Sequence, residues 1–349
     1  MRYLPLGTVS AERSQAVYHA VARLMRGDAQ PTLITVSPDA PYVCVGYHQV
    51  ASREIDRGYC EARGVPVGRR MVGGGAVYLD HDQIFWHLIL PGIHRVDELY
   101  RHFLAAPVAA YRRIGISAEH RPVNDIVVGH RKIGGTGAAQ IGAATVLVGS
   151  IMMDFDSVAM ARLLRVPSEK FRDKMVESLQ DYMTTVRREL GDATPTREEA
   201  VRGLVEAFAG VLGETVEEDG LTLRETEETE RLARILFDPG FVYQDEGWLQ
   251  AGVKIREGVR LYEGVHKAPG GLMRVIYRER DGLFEDVLIS GDFSCQPMDA
   301  LRRLAGSMVG QRVDEESWLD EVRKGLAAIQ TPGVEFADFS AAFRAAREV

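Results

Sequence analysis

The stretch Arg69-Arg70-Met71-Val72-Gly73-Gly74-Gly75-Ala76-Val77-Tyr78-Leu79-Asp80 constrains this chain more than any other. Three consecutive glycines remove every Cβ from a loop, so a ligand can lie directly against backbone N–H groups. The two guanidiniums before them supply fixed positive charge with bidentate geometry for a phosphate or a carboxylate. A Walker loop needs Gly-x-x-x-x-Gly-Lys-Ser/Thr opening a helix, whereas these glycines run into the alternating, β-branched pattern of a strand. The stretch therefore reads as an anion-holding loop that leads into a strand. The plainer alternative is a flexible hairpin with solvated arginines.

A second segment, Asn124-Asp125-Ile126-Val127-Val128-Gly129-His130-Arg131-Lys132-Ile133-Gly134-Gly135-Thr136-Gly137-Ala138-Ala139, has the same logic. A strand ends in a basic turn, and Lys132 stands before a run of small residues that admits a ligand close to the backbone. Lys132 is the charge expected to point inward, although a lysine after a strand is solvent-exposed in most proteins. A dinucleotide reading competes, because Gly135-Thr136-Gly137-Ala138-Ala139 follows a strand and Asp154 lies downstream. That reading leaves little room for its helix, which Gly142 interrupts, and gives the Arg-Arg-Gly-Gly-Gly segment no role.

Composition removes several other classes. The 349 residues suit two domains. With 42 Lys plus Arg against 50 Asp plus Glu, the net charge of −8 disfavours an extended grip on nucleic acid, so any anion site must be local. Cys44, Cys60 and Cys295 lie far apart without metal-ligand spacing, which argues against a disulfide framework or a structural zinc site. The first residues lack a signal-peptide core and no apolar run has membrane-spanning length, so the expectation is a cytoplasmic protein with no membrane partner.

The patterning along the chain is mixed. Ser10 to Met25 reads as a capped helix, and residues 33–36, 42–45, 76–79 and 84–90 read as strands. Asp97 to Ile114 reads as one helix, residues 125–128 and 146–153 as strands, Val158 to Leu164 as a short helix, and Thr196 to Gly210 as another. Glu214 to Glu230 reads as an acidic solvated surface. Residues 273–279 and 283–289 around Asp281-Gly282 form a hairpin signal. Helical patterns at 297–309, 315–329 and 336–348 complete a small closing unit, with the boundary between Gly247 and Gly258. Strands and helices mix without βαβ alternation, which predicts an α+β fold with residues 1–250 and 258–349 as separate domains.

At the two small-residue segments the sequence resembles the lipoate-protein ligase A family. That family carries Arg-Arg-x-Ser-Gly-Gly-Gly-Ala-Val-Tyr/Phe-His-Asp, followed by Asn-Asp, a strand and Arg-Lys-Ile-x-Gly-x-Ala. The likeness continues through Gly149-Ser150-Ile151-Met152-Met153, residues 164–174, Met183-Thr184-Thr185-Val186 and Trp248. It implies the mixed sheet shared with biotin ligases and class II synthetases, with a small α+β C-terminal domain. It also implies that Arg70, Gly73, Gly74, Gly75, Ala76, Val77 and Tyr78 contact ATP and an acyl-adenylate. Asp125 matches the family's Asn-Asp, and Lys132 matches the lysine that touches both lipoate and the α-phosphate. The implied activity is ATP- and Mg²⁺-dependent activation of lipoate or octanoate and transfer to a lysine of a lipoyl-carrier protein.

The elementary chemistry agrees, because bringing a carboxylate to the α-phosphate of ATP needs cations aimed at the developing charge. A lid is expected around Lys174 to Val186, and Val43, Val45 and Phe85 are candidates to line an apolar slot for the acyl tail. Arg112, Arg113, Arg121 and Arg131 form a candidate patch for docking an acidic carrier. Three positions depart from the family: Val72 replaces Ser or Thr, Leu79 replaces His, and Val148 stands where some members carry His. One rival is a transferase of the same fold working through a cysteine thioester. Its cysteine would lie just before Asp125, where this chain reads Ala118-Glu119-His120-Arg121-Pro122-Val123-Asn124. Another rival is a non-catalytic relative that binds acyl carriers.

Overall fold

The computed structural model describes residues 1–166, 168–246 and 259–346. Pro167, Trp248 and the expected domain boundary between Gly247 and Gly258 lie outside the described residues.

The strands are β1 (Arg2–Val9), β2 (Thr32–Pro38), β3 (Tyr42–Val45), β4 (Val67–Arg69), β5 (Val77–Leu79), β6 (Gln83–Pro91) and β7 (Glu119–Arg121). They continue as β8 (Asp125–Val128), β9 (Arg131–Ile141), β10 (Ala144–Met152), β11 (Glu217–Glu218), β12 (Val259–Ala268), β13 (Gly271–Arg280) and β14 (Leu283–Gly291). Eight of them form one sheet in the order β11-β1-β2-β6-β10-β9-β8-β7. β1 and β2 pair in parallel while β2, β6, β10, β9, β8 and β7 pair antiparallel, so the sheet is mixed, as expected for α+β. A three-stranded sheet β4-β3-β5 sits beside it and carries the glycine loop between β4 and β5.

Both faces of the large sheet are covered, so β2 and β6 are buried almost throughout. Trp86, Leu88, Leu33 and Leu147 face the helices Val96–Phe103, Ala105–Arg113 and Arg197–Leu212. Phe85, Ile89, Ile34 and Val146 face the opposite helix, Ala11–Leu24, whose cap is Ser10 accepting from the Arg13 N–H. A separate core is built wholly from residues 268–346, with Trp318, Phe284 and Phe343 at its centre.

Four expectations change. The helix predicted over 97–114 breaks at Leu104 into two, because Pro107 has no N–H to return to the Phe103 carbonyl. The small-residue run after Lys132, to which the sequence assigned no element, is the long strand β9, paired on both sides. That pairing also removes the dinucleotide reading, which needs a helix there. The acidic stretch is not all solvated surface: Glu225 is buried in an ion pair at 2.6 Å from Arg2, at the start of the capped helix Leu223–Leu236. Finally, the expected lid at 174–186 is mostly the helix Glu169–Tyr182. The hairpin signal holds, with Asp281 at φ 52° and Gly282 at φ 78° joining β13 to β14.

Candidate functional site

One cavity of about 650 Å³ gathers both chemistry-bearing segments. Gly73, Gly74, Gly75, Ala76, Val77 and Tyr78 form one wall, Asp125 and Lys132 another, and Arg70 lies at the root of the loop. Val72, Leu79 and Val148, the three positions that depart from the family pattern, also line this space.

The two arginines do a different job from the one their spacing suggests. Arg69 is fully buried and donates to the carbonyls of Tyr47 at 2.9 Å, Gln49 at 2.7 Å and Val242 at 2.5 Å. It is a strut under the loop, not an anion ligand. Arg70 donates to the Cys44 carbonyl at 3.1 Å, to Gly75 at 2.7 Å and twice to Gly73, at 2.8 and 3.3 Å. Three of its five N–H donors thus staple the glycine loop on itself, a fourth ties the loop to β3, and one donor and the positive charge remain for a ligand. A loop without Cβ atoms would be floppy, and the guanidinium supplies the order that the glycines give up.

Lys132 opens β9 next to a register shift in the β8–β9 pairing, which re-aims the side chain. Its carbonyl accepts from the Thr184 N–H at 2.8 Å, so the segment after the helix Glu169–Tyr182 is pinned against it. Its ammonium sits 2.6 Å from Asp125 Oδ1. The Lys132 stem lies over Gly135, where a Cβ would stand 3.2 Å from Nζ. Asp125 also accepts from Arg121 at 2.9 Å and from the Tyr182 hydroxyl at 3.2 Å. Burial pushes the Asp125 carboxyl up, and Lys132 and Arg121 more than reverse this, holding it below the usual carboxylate range. An ammonium has three donors, so Lys132 keeps two beyond its bond to Asp125.

The slot residues are only partly those expected. Phe85 lines the cavity, but Val43 and Val45 belong to the core under β3. The cavity instead reaches Gln15 and Tyr18 of the first helix and His87 of β6. These residues were missed, and the available signal was a histidine in register with Phe85 inside the apolar run Ile84–Leu90. Tyr182, Met183 and Leu179 also face the cavity, and so do Lys267, Asp292 and Ser294 from the C-terminal unit. No pattern near those last three residues announces a site. The C-terminal unit touches the glycine loop directly, through the Gly74 N–H and the Phe293 carbonyl at 3.4 Å.

The expected basic docking patch is largely neutralised. Arg113 pairs with Glu206 at 2.5 Å, Arg121 with Asp125 at 2.9 Å and Arg131 with Glu189 at 2.9 Å. Arg112 donates to the Ala118 carbonyl at 2.8 Å.

All three thiols are buried and unpaired, and none lines the cavity. Burial pushes Cys60 up to about 11 and Cys295 up to about 12, and raises Cys44 as well despite the nearby Arg70. Among the described residues no group of three or more His, Cys, Asp or Glu gathers to hold a metal ion. Among the same residues no helix is long and apolar enough to cross a membrane.

Comparison with known proteins bears on this geometry. Residues 10–209 match the family described as the lipoyl protein ligase A/B catalytic domain. Lipoate-protein ligase A subunit 1 of Thermoplasma acidophilum is 30% identical over 260 residues, spanning 71% of this chain and 95% of the relative. Octanoyltransferase LipM of Kyrpidia tusciae is 30% identical over 267 residues, spanning 68% of this chain and 96% of the relative. Among solved structures, a lipoate-protein ligase A bound with ATP superimposes with a TM-score of 0.58 at 26% identity, over 69% of this chain and 95% of that one.

Proposed function

The chain belongs to the lipoyl protein ligase A/B catalytic domain family of lipoylation enzymes, and on that premise we propose that it is an ATP-dependent ligase. Its reaction would join lipoate or octanoate to AMP and then pass the acyl group to a lysine of a lipoyl-carrier protein. The family contains both ligases and thioester-forming transferases, and equal identity to one of each does not choose between them. The state of the cysteines supports the ligase. A transferase of this kind needs a thiolate facing the acyl group, and every thiol here is sealed in a core that favours its neutral form.

In the proposed first step a carboxylate oxygen attacks the α-phosphorus and pyrophosphate leaves. Lys132, aimed by Asp125, is the group positioned to contact both the carboxylate and the α-phosphate oxygens through its two remaining donors. The stapled loop Gly73–Gly75 presents backbone to the nucleotide, and the Arg70 charge behind it offsets the approach of two anions. Asp292 on the cavity wall, whose Oδ1 accepts from the Leu272 N–H, keeps one oxygen that would hold a magnesium ion, and such an ion would supply positive charge to the leaving pyrophosphate. In the second step the carrier amine attacks the acyl carbonyl carbon and AMP leaves. Lys132 remains beside that oxygen, and the helix Glu169–Tyr182 with Met183 shields the anhydride from water. Residues 258–349 serve in this reading as an accessory domain that completes the cavity.

The test is lipoate-dependent exchange of pyrophosphate into ATP, run with the wild type and Lys132→Ala. Exchange in the wild type, reduced about 100-fold or more in the variant, is the expected result. Absent exchange, with an acyl thioester on Cys44, Cys60 or Cys295 by mass, would overturn the ligase reading in favour of the transferase.

A further inference from the structure

Two polar side chains lining the cavity, His87 and Tyr18, have hydrogen-bonding capacity that the fold leaves unused. His87 lies on the sheet face shared with Phe85 and Ile89, buried to 4% exposure, with its ring 4.4 Å from that of Tyr18. Its Nδ1 is sealed from solvent and without a hydrogen-bond partner, and among the described residues Nε2 has none either. Placing the proton on Nε2 leaves only a lone pair in the dry surroundings and turns the N–H toward the cavity. Tyr18 is in a similar position. Its hydroxyl accepts from Gln15 Nε2 at 2.8 Å, Gln15 Oε1 in turn accepts from Tyr42 at 3.2 Å, and the Tyr18 proton has no acceptor among the described residues. Two donors therefore face the same end of the slot with nothing to receive them.

The sheet register sets their distance from the reacting end. Lys132 Nζ lies over Gly135, and Gly137, two residues on, pairs with Val148, which pairs with His87. Two residues along β9 and two strand spacings across the sheet give about 12 Å. That is the reach of an extended eight-carbon acid plus one hydrogen bond. Gly135 and Gly137 line the cavity, and the Lys132 stem and Val72 pack over them where Cβ atoms would stand, the one at Gly137 being 2.9 Å from Val72 Cγ1.

We infer that this end of the slot recognises an acyl chain bearing a hydrogen-bond acceptor in its distal half, the ring sulfur of a dithiolane, and that His87 and Tyr18 select it over a plain saturated chain. The inference rests on the reading that the cavity takes a medium-chain acid with its carboxylate at Lys132. A saturated chain displaces water from both donors and returns nothing, whereas a dithiolane sulfur is an acceptor, if a weak one. His87 stays neutral in this role, since burial and the neighbouring His19 lower it to about 3.

The experiment is calorimetric titration of the full chain with lipoate and with octanoate, for the wild type, His87→Leu and Tyr18→Phe. Lipoate should bind the wild type about tenfold or more tighter than octanoate. In His87→Leu the ratio should fall toward one chiefly because octanoate binds more tightly, and Tyr18→Phe should move it part of the way. His87→Leu should melt no lower than the wild type, because it removes a buried unpaired group. Equal affinities in the wild type, or an unchanged ratio in both variants, would overturn the inference while leaving the ligase reading intact. Failure of the protein to bind either acid would overturn both.

Discussion

Gly73 and Gly75 are two residues apart in the same loop, and the structure sets opposite consequences for a methyl at each. A Cβ at Gly73 would stand 2.6 Å from the Phe293 carbonyl oxygen and 2.7 Å from Ser294 Cα. Both atoms are backbone of the C-terminal unit, so relief requires that unit to retreat by several tenths of an ångström. The retreat would break the 3.4 Å contact between the Gly74 N–H and Phe293. Overpacking of this kind costs about 1–3 kcal/mol. For a unit of about 90 residues each kcal/mol moves the melting point by roughly 4–8 °C, so Gly73→Ala should lower or split the calorimetric transition. A Cβ at Gly75 meets nothing nearer than Asp292 Cβ at 3.7 Å, and Gly75 is not among the glycines at positive φ. Gly75→Ala should therefore melt within about 0.5 kcal/mol of the wild type. It should nevertheless weaken ATP binding about tenfold, because its methyl occupies the space through which the nucleotide reaches the backbone. An unchanged melting profile for Gly73→Ala, or wild-type ATP affinity for Gly75→Ala, would refute the account of the loop.

Two further outcomes follow from charge. Burial holds His19 and His87 near 3, against 6.5 for the exposed ring, so the unfolded chain takes up protons between those values while the folded chain does not. Stability should therefore fall as pH drops from about 6.5 to 4. His87→Leu should flatten that fall in urea midpoints; the same slope in the variant would count against it. Glu225 and Glu263 are raised by burial but held low on balance, Glu225 by Arg2 and Glu263 by Arg53 and Arg274. Their contribution is present above the ordinary carboxylate pKa and lost as pH falls through the lowered folded value, so Glu225→Gln should reduce stability at neutral pH and flatten the acid-side fall, variant and wild type converging at low pH. Lys267, which is exposed and has no ion pair among the described residues, faces the cavity from the C-terminal unit. Lys267→Ala should raise the KM for ATP about two- to fivefold at low salt and leave that for lipoate unchanged; an unmoved KM for ATP would remove it from the nucleotide's path.

Local chemistry was legible wherever it depended on near neighbours in the chain. The glycine loop, the Asp125 and Lys132 pair, the hairpin at Asp281-Gly282 and the Ser10 cap all follow from residues within a few positions of one another. The mixed α+β class followed from strands and helices that do not alternate. The run Gly134-Gly135-Thr136-Gly137 carries no strand signal of its own, because small residues have low strand propensity; its pairing with β8 and β10 makes it a strand all the same.

What the sequence determined by itself was which residue types are close along the chain, and hence which two segments offer glycine-rich backbone beside positive charge. What only the tertiary structure decided was which atoms remain available to them. Arg69 and Arg70 look alike in sequence, but carbonyls from Tyr47, Gln49 and Val242 claim the first, and those of Cys44, Gly73 and Gly75 hold most of the second. His87 looks like one polar residue in a core strand until sheet register sets it beside Tyr18 at the end of the slot. Lys267 and Asp292 meet the loop from more than 190 positions away. The physical reason is the same in each case: a hydrogen-bonding group is satisfied by whatever the fold brings within about 3 Å, and most of those partners are distant in sequence.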